Sequence, residues 1–230
     1  MKHFLKYLIF LVAIATVSCD PSDENPQLDT GKEYYPLRKG MYQIYDVLEI
    51  HYTLGVPETL RYELRTEVTD SFPNAEGGFS YVVQRSKKED GQSDFLPLNT
   101  WSSRIESHQV VTQEENISFV KISLPILKDD EWDGNLYNTI GEDTYLMEEV
   151  KTATNVNDIT YSDCIVVNQN DNQDFVVFLD QRKEIYARHA GLIFKESRLL
   201  SYCTVGPCLG QQEIESGIVY TQSIKSYGVE

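Results

Sequence analysis

Residues 59–72 read TLRYELRTEVTDSF, and the fold turns on whether this stretch is a helix or a strand. Leu60, Tyr62, Leu64, Thr66 and Val68 fall on one side at period two. Arg61, Glu63, Arg65 and Glu67 fall on the other, with opposite charges following one another along that face. A helix competes, because Leu60, Leu64 and Val68 are also spaced by four and Pro57 could open its first turn. The helix leaves Tyr62 off its apolar stripe, whereas the strand uses every apolar residue. The strand reading is therefore preferred.

The same period runs through the preceding stretch, residues 40–54 (GMYQIYDVLEIHYTL). Tyr42, Ile44, Leu48, Ile50, Tyr52 and Leu54 share one face there, with Asp46 the only interruption. Further strands are expected over 79–87, 101–112, 117–124, 144–151, 159–167, 175–179, 184–188, 191–196, 199–203 and 217–227. Residues 73–78, 89–92 and 168–174 read as turns, and 127–143 as an acidic, turn-rich excursion. There is no amphipathic helix of three turns and no repeat. With 15 Tyr and 9 Phe, the composition also favours strands. Roughly ten short antiparallel strands exceed what one flat sheet holds comfortably. The expectation is an all-β fold, an antiparallel meander curled into a partly open barrel or folded as a sandwich. A half-barrel like those of lipoprotein carriers is one form of it.

The N-terminus gives an address. Lys2, His3 and Lys6 form a basic head, followed by an almost wholly apolar run, residues 7–17 (YLIFLVAIATV). That run is shorter than the roughly 20 residues a membrane-spanning helix needs and fits a secretory signal. It ends at Thr16-Val17-Ser18-Cys19, which resembles a bacterial lipoprotein signal cut before Cys19, whose thiol then carries a lipid such as palmitate. The usual Leu three places before the cut is Thr16. An ordinary signal cleaved near Ala13-Ile14-Ala15 is the competing reading, and the lipoprotein signal is preferred. Residues 1–18 are then leader and 19–33 a tether low in apolar residues. Residues 34–230 form a single β domain in the cell envelope, with the outer membrane as the expected site.

The full chain carries a net charge of −16; loss of Lys2 and Lys6 leaves 18 basic against 36 acidic residues, or −18. Such a surface repels nucleic acid and anionic lipid head groups. The partners expected are the membrane, through the N-terminal lipid, and a protein or small ligand that the sequence does not name. Cys203-Thr-Val-Gly-Pro-Cys208 holds a Gly-Pro turn between two cysteines, so a disulfide between Cys203 and Cys208 is expected in an exported chain. Cys164 reads as a buried free thiol.

No motif carries chemistry. Residues 168–174 (NQNDNQD) alternate oxygen side chains, but Gln173 and Leu179 stand where a calcium loop needs Gly and Glu. Asp129 to Gly134 has the Gly but Ile140 at the twelfth place. His51, His108 and His189 show no ligand spacing. Nucleophile elbow, phosphate loop and dinucleotide fingerprint are all missing. No catalytic residue, metal site or cofactor is expected.

Three further stretches carry a resemblance. They are residues 125–138, containing Trp132-Asp133-Gly134-Asn135, then residues 184–196 (EIYARHAGLIFKE), then residues 220–228 (YTQSIKSYG). Together with Tyr35-Pro36-Leu37-Arg38-Lys39-Gly40 they resemble a group of Bacteroidetes lipoproteins without an assigned activity. Met41-Tyr42 stands where that group has Trp or Phe. The resemblance implies envelope anchoring and no particular ligand. Physically, Trp132 reads as the anchor of a long loop, Gly134 as a positive-φ turn residue, and Tyr186 and Gly191 as a bend between strands. Trp132, Tyr186 and Trp101 are the candidate binding residues. The function expected is non-catalytic binding of a partner protein or an apolar or amphipathic ligand. A surface glycan-binding module is the alternative, and a hydrolase comes third.

Overall fold

The computed structural model describes residues 30–230; the leader and Cys19 lie outside the described residues. The strands are β1 (Met41–Thr53), β2 (Val56–Pro73), β3 (Phe79–Glu89), β4 (Leu96–Ile105), β5 (Gln109–Glu114) and β6 (Ile117–Ser123). They continue as β7 (Glu131–Asp133), β8 (Thr144–Val156), β9 (Ile159–Asp174), β10 (Phe178–Ala187), β11 (Gly191–Tyr202) and β12 (Ile214–Val229). The 59–72 stretch is a strand, within β2.

All twelve form one antiparallel sheet in the order β6-β5-β4-β3-β2-β1-β12-β11-β10-β9-β8-β7. The chain's last strand pairs with its first, so the two edges are β6 and β7, which curling brings together. They do not complete the ladder. Val120 N donates to Gly134 O at 2.9 Å, Trp132 Nε1 to Val120 O at 3.0 Å, and Asn138 Nδ2 to Ser118 O at 2.9 Å. Behind this join Lys121 of β6 reaches Glu184 of β10 at 2.7 Å. The architecture is a nearly closed barrel with one unsealed seam, which decides between barrel and sandwich.

Register fixes what faces inward. Gln43 pairs with Thr66, Tyr45 with Leu64 and Val47 with Tyr62, and cross-strand partners share a face. All six point into the barrel or its core. The more apolar face of β1, Tyr42 through Tyr52, is the opposite one and lies half-buried outside. At β9 and β10 both faces are buried. Ile165, Val167 and Tyr186 pack in one cluster with Tyr34 and Val110, while Cys164, Val166, Ile185 and Ala187 pack in another with Val156, Tyr45 and Leu64. Cys164 is a buried free thiol.

Turns of a meander alternate between two ends. The end that carries residues 74–78, 106–108, 157–158 and 188–190 is crossed by the N-terminal segment. Lys32–Tyr34 forms a 3-10 turn, and Tyr34 is fully buried among Val110, Ile122, Met147 and Ile165. Its hydroxyl donates to Asp163, and the Arg188 guanidinium lies 4.6 Å over its ring. His189 N donates to Glu33 O at 2.7 Å, and Gly40 N to Val68 O at 2.8 Å. Residues 31–33, expected in the tether, thus belong to the body, because burial of Tyr34 fixes the residues just before it. The other end, with residues 54–55, 90–95, 115–116, 175–177 and 203–213, is the mouth. Cys203 and Cys208 are joined there.

Several local expectations are corrected. Residues 168–174 lie in β9, and the turn falls at 175–177, because Asp174 Oδ1 accepts from Val176 N and Val177 N. Asn170 and Asp171 are satisfied across the strands, by Asp180 and Gln181 at 2.8 Å each. The expected pairs 175–179 with 184–188, and 191–196 with 199–203, are each one strand, β10 and β11. The expected strand 101–112 is split by a turn at 106–108 between β4 and β5.

Candidate functional site

The barrel encloses a cavity of about 520 Å³. Binding pockets for small ligands run from about 300 to 1,000 Å³. Its floor is Tyr35, Pro36 and Leu37 from the N-terminal segment, and its walls reach Lys87 and Leu98 toward the mouth. The floor closes because residue 191 is Gly. Its φ is 82°, and an added Cβ would come within 2.7 Å of Gln43 Nε2 and 3.2 Å of Pro36 Cδ. Gln43 Nε2 instead donates to Ala190 O at 2.7 Å.

Six aromatic side chains line the cavity: Tyr35, Tyr45, Tyr62, Trp101, Tyr186 and Tyr220. Each tyrosine hydroxyl is held by the wall. Tyr35 meets Thr112 Oγ1 at 2.8 Å, Tyr45 donates to Leu192 O at 3.1 Å, Tyr62 to Glu49 at 2.7 Å, Tyr220 to Gln222 at 2.6 Å, and Tyr186 to Glu184. Burial pushes all five hydroxyls above their ordinary range, so none is poised as an acid or base near neutrality.

The interior is charged as well as aromatic. Glu184 is fully buried and ion-paired to Lys121 at 2.7 Å and Lys195 at 3.2 Å. Burial alone would raise its carboxyl, but the charges of Lys121 and Lys195 outweigh that and hold it at about 2. Burial likewise lowers Lys121, and Glu114 and Glu184 more than reverse it. These partners remain ionised together.

Arg85 differs from them. It has no carboxylate partner among the described residues. Its Nη1 donates to Asn99 Oδ1 at 3.2 Å, and its guanidinium stacks 3.8 Å above the Trp101 ring. Its Nε and the neighbouring Trp101 Nε1 are both buried without an acceptor. A buried donor without an acceptor costs about 1–3 kcal/mol.

Of the candidate binding residues, Trp101 and Tyr186 line this cavity and Trp132 does not. Trp132 packs edge-on against Tyr145, with ring centroids 6.0 Å apart, and its indole N–H bonds across the unsealed seam to Val120 O. Neither Trp is exposed as a flat platform. Gly134 was expected to need a positive φ; its requirement is space, since a Cβ would lie 2.4 Å from Tyr145 Cζ. Tyr186 and Gly191 do flank the β10–β11 bend, with a bulge at Ile185/Tyr186. Cys203 and Cys208 lie at the mouth, apart from the cavity wall. Among the described residues, no group of three His, Cys, Asp or Glu gathers as a metal site. No helix among the described residues is long and apolar enough to cross a membrane.

No protein-family model and no curated protein matches the sequence. Among solved structures, a chain from Bacteroides fragilis, described as having a YmcC-like fold, is similar at 10% identity. The match covers 84% of this chain and 98% of that one, with a TM-score of 0.46. So distant a likeness adds nothing to the reading of the site.

Sequence reasoning missed Arg85, Lys121 and Glu184. Val83, Arg85 and Lys87 alternate along one face of β3, a pattern that reads as a strand running out to solvent. Only the closed barrel turns it inward.

Proposed function

We propose that this chain is a lipid-anchored cell-envelope protein that binds one amphipathic ligand, without catalysis, inside its barrel. The observation that carries the reading is the cavity, floored at one end and aromatic along its walls. Aromatic walls favour an apolar or ring-shaped body, and fixed polar groups orient it. A hydrolytic reading needs a carboxyl with a raised pKa in the cavity; Glu184, the buried one, is lowered instead. The leader and Cys19 supply the anchor, in keeping with the resemblance to Bacteroidetes lipoproteins, and the outer membrane is its place.

Native mass spectrometry of the full-length protein released from its envelope in mild detergent tests the binding. One small molecule per chain is expected, lost in Ser197→Trp, which fills the cavity. A chain that carries no small molecule and takes up none from an envelope lipid extract would overturn the reading. Incorporation of labelled fatty acid, abolished by Cys19→Ser, tests the anchor; an unlabelled wild-type chain would remove it.

A further inference from the structure

We infer that the cavity selects a ligand bearing a single carboxylate, received by the Arg85 guanidinium and the Trp101 indole N–H. The inference rests on the proposed binding role and names the ligand's head.

Charge matching inside the barrel comes first. Lys121 and Lys195 are neutralised by Glu184 and Glu114, and Lys87 lies 3.1 Å from Glu89. Arg85 is the lining cation with no such partner among the described residues. Glu49, bonded to Tyr62 in the same wall, offsets the charge of Arg85 without bonding to it. The guanidinium thus lacks a bonded anion among the described residues, and one ligand anion can pair with it, while Glu49 would oppose a second.

Geometry then favours a carboxylate. Nη1 is occupied by Asn99, and stacking on Trp101 fixes the guanidinium plane. What is left is the edge of Nε and Nη2. That edge offers two parallel N–H bonds, matching the two oxygens of a carboxylate. Trp101 Nε1 supplies a third unpartnered donor on the same wall. Arg85 is also close enough to Tyr62 and Tyr220 for its charge to be felt at both hydroxyls, so the head sits among rings that can cover the body attached to it.

A carboxylate on an amphipathic body could belong to a fatty acid or to an acidic sugar. Native mass spectrometry of the full-length wild-type protein, titrated with decanoate, decan-1-ol, glucuronate and glucose, separates the two. A charge-assisted bidentate pair should favour the acid over its neutral analogue about tenfold or more. Preference for decanoate over decan-1-ol assigns a fatty acid, and preference for glucuronate over glucose assigns a sugar acid; either supports the inference. In Arg85→Gln the acid-to-neutral ratio should fall to about one, and Arg85→Lys should restore only part of it, because it returns the charge without the fork. If Arg85→Gln fails to fold, Trp101→Phe keeps the ring, removes the N–H, and should lower the ratio severalfold. Equal binding of acid and neutral ligand by the wild type overturns the carboxylate while leaving the cavity reading intact. Binding of none of the four overturns both.

Discussion

The two ends of the barrel solve the same problem in opposite ways. At the closed end the chain spends a whole segment on the opening: Tyr34 is 0% exposed, Gly31 is buried beside it, and Arg188, Asp163 and Glu33 knit the plug to the strands. At the mouth, among the described residues, apolar side chains stand exposed in the turns. Leu54 is 83% exposed, Val205 74% and Phe175 60%. The same sequence therefore has a floor whose removal should unfold it and a rim whose alteration should not. The difference teaches that stability and access have been placed at opposite ends of one sheet.

The comparison breaks most visibly at the floor. Tyr34→Ala removes a fully buried aromatic ring, which costs about 3–5 kcal/mol, and with it the hydroxyl bonded to Asp163. Urea unfolding should show a midpoint shift of that size, with Tyr34→Phe well above Tyr34→Ala. A midpoint unchanged in Tyr34→Ala would mean that the segment is an ornament and the barrel has no floor.

Midway between floor and mouth, Glu184→Gln should come next. Breaking a buried ion pair by removing one partner costs about 3–5 kcal/mol. The sign in pH follows from the lowered carboxyl. Glu184 titrates at about 2 when folded, against about 4.3 in an unfolded chain. Its contribution is complete above the unfolded value and fades as pH falls from there through the folded one. Stability measured between pH 6 and 2 should therefore drop more steeply in the wild type than in Glu184→Gln. Parallel curves would remove Glu184 from the acid response. Cross-barrel pairing also holds the seam, so hydrogen exchange at Val120 should quicken in the variant.

How much of this the sequence shows depends on distance along the chain. Residues 59–72 declare a strand because alternation is local, and Cys203 and Cys208 declare their pairing across a six-residue turn. Closure is not local. Lys121 and Glu184 are separated by 63 residues and meet only once twelve strands have curled. The inward face was illegible for a related reason. In β1 the more apolar side is outside, because the cavity wall is built from Gln43, Tyr45 and Glu49. Trp132 and Trp101 look alike in sequence, yet one clasps the seam and the other lines the cavity. The polar stretch 168–174 reads as a turn because its partners, Asp180 and Gln181, are visible only once β9 and β10 are in register.

The mouth should give the smallest effects, and they sharpen the contrast with the floor. The Cys203–Cys208 bridge closes a short loop, so its removal by double substitution to Ser should cost about 2 kcal/mol, below the ~3 kcal/mol expected of a loop of about 15 residues. Leu54→Ser and Phe175→Ser lie on exposed turn tips and should each move stability by less than about 0.5 kcal/mol. The two kinds of change test different things. The bridge acts on the unfolded chain, whereas the tips stay largely exposed in the folded one. If either tip substitution cost as much as Tyr34→Ala, the rim would have to be packed against something in solution, and the mouth would be an interface between chains instead of an opening. Sedimentation of wild type and Phe175→Ser at equal concentration decides that: two monomers are expected.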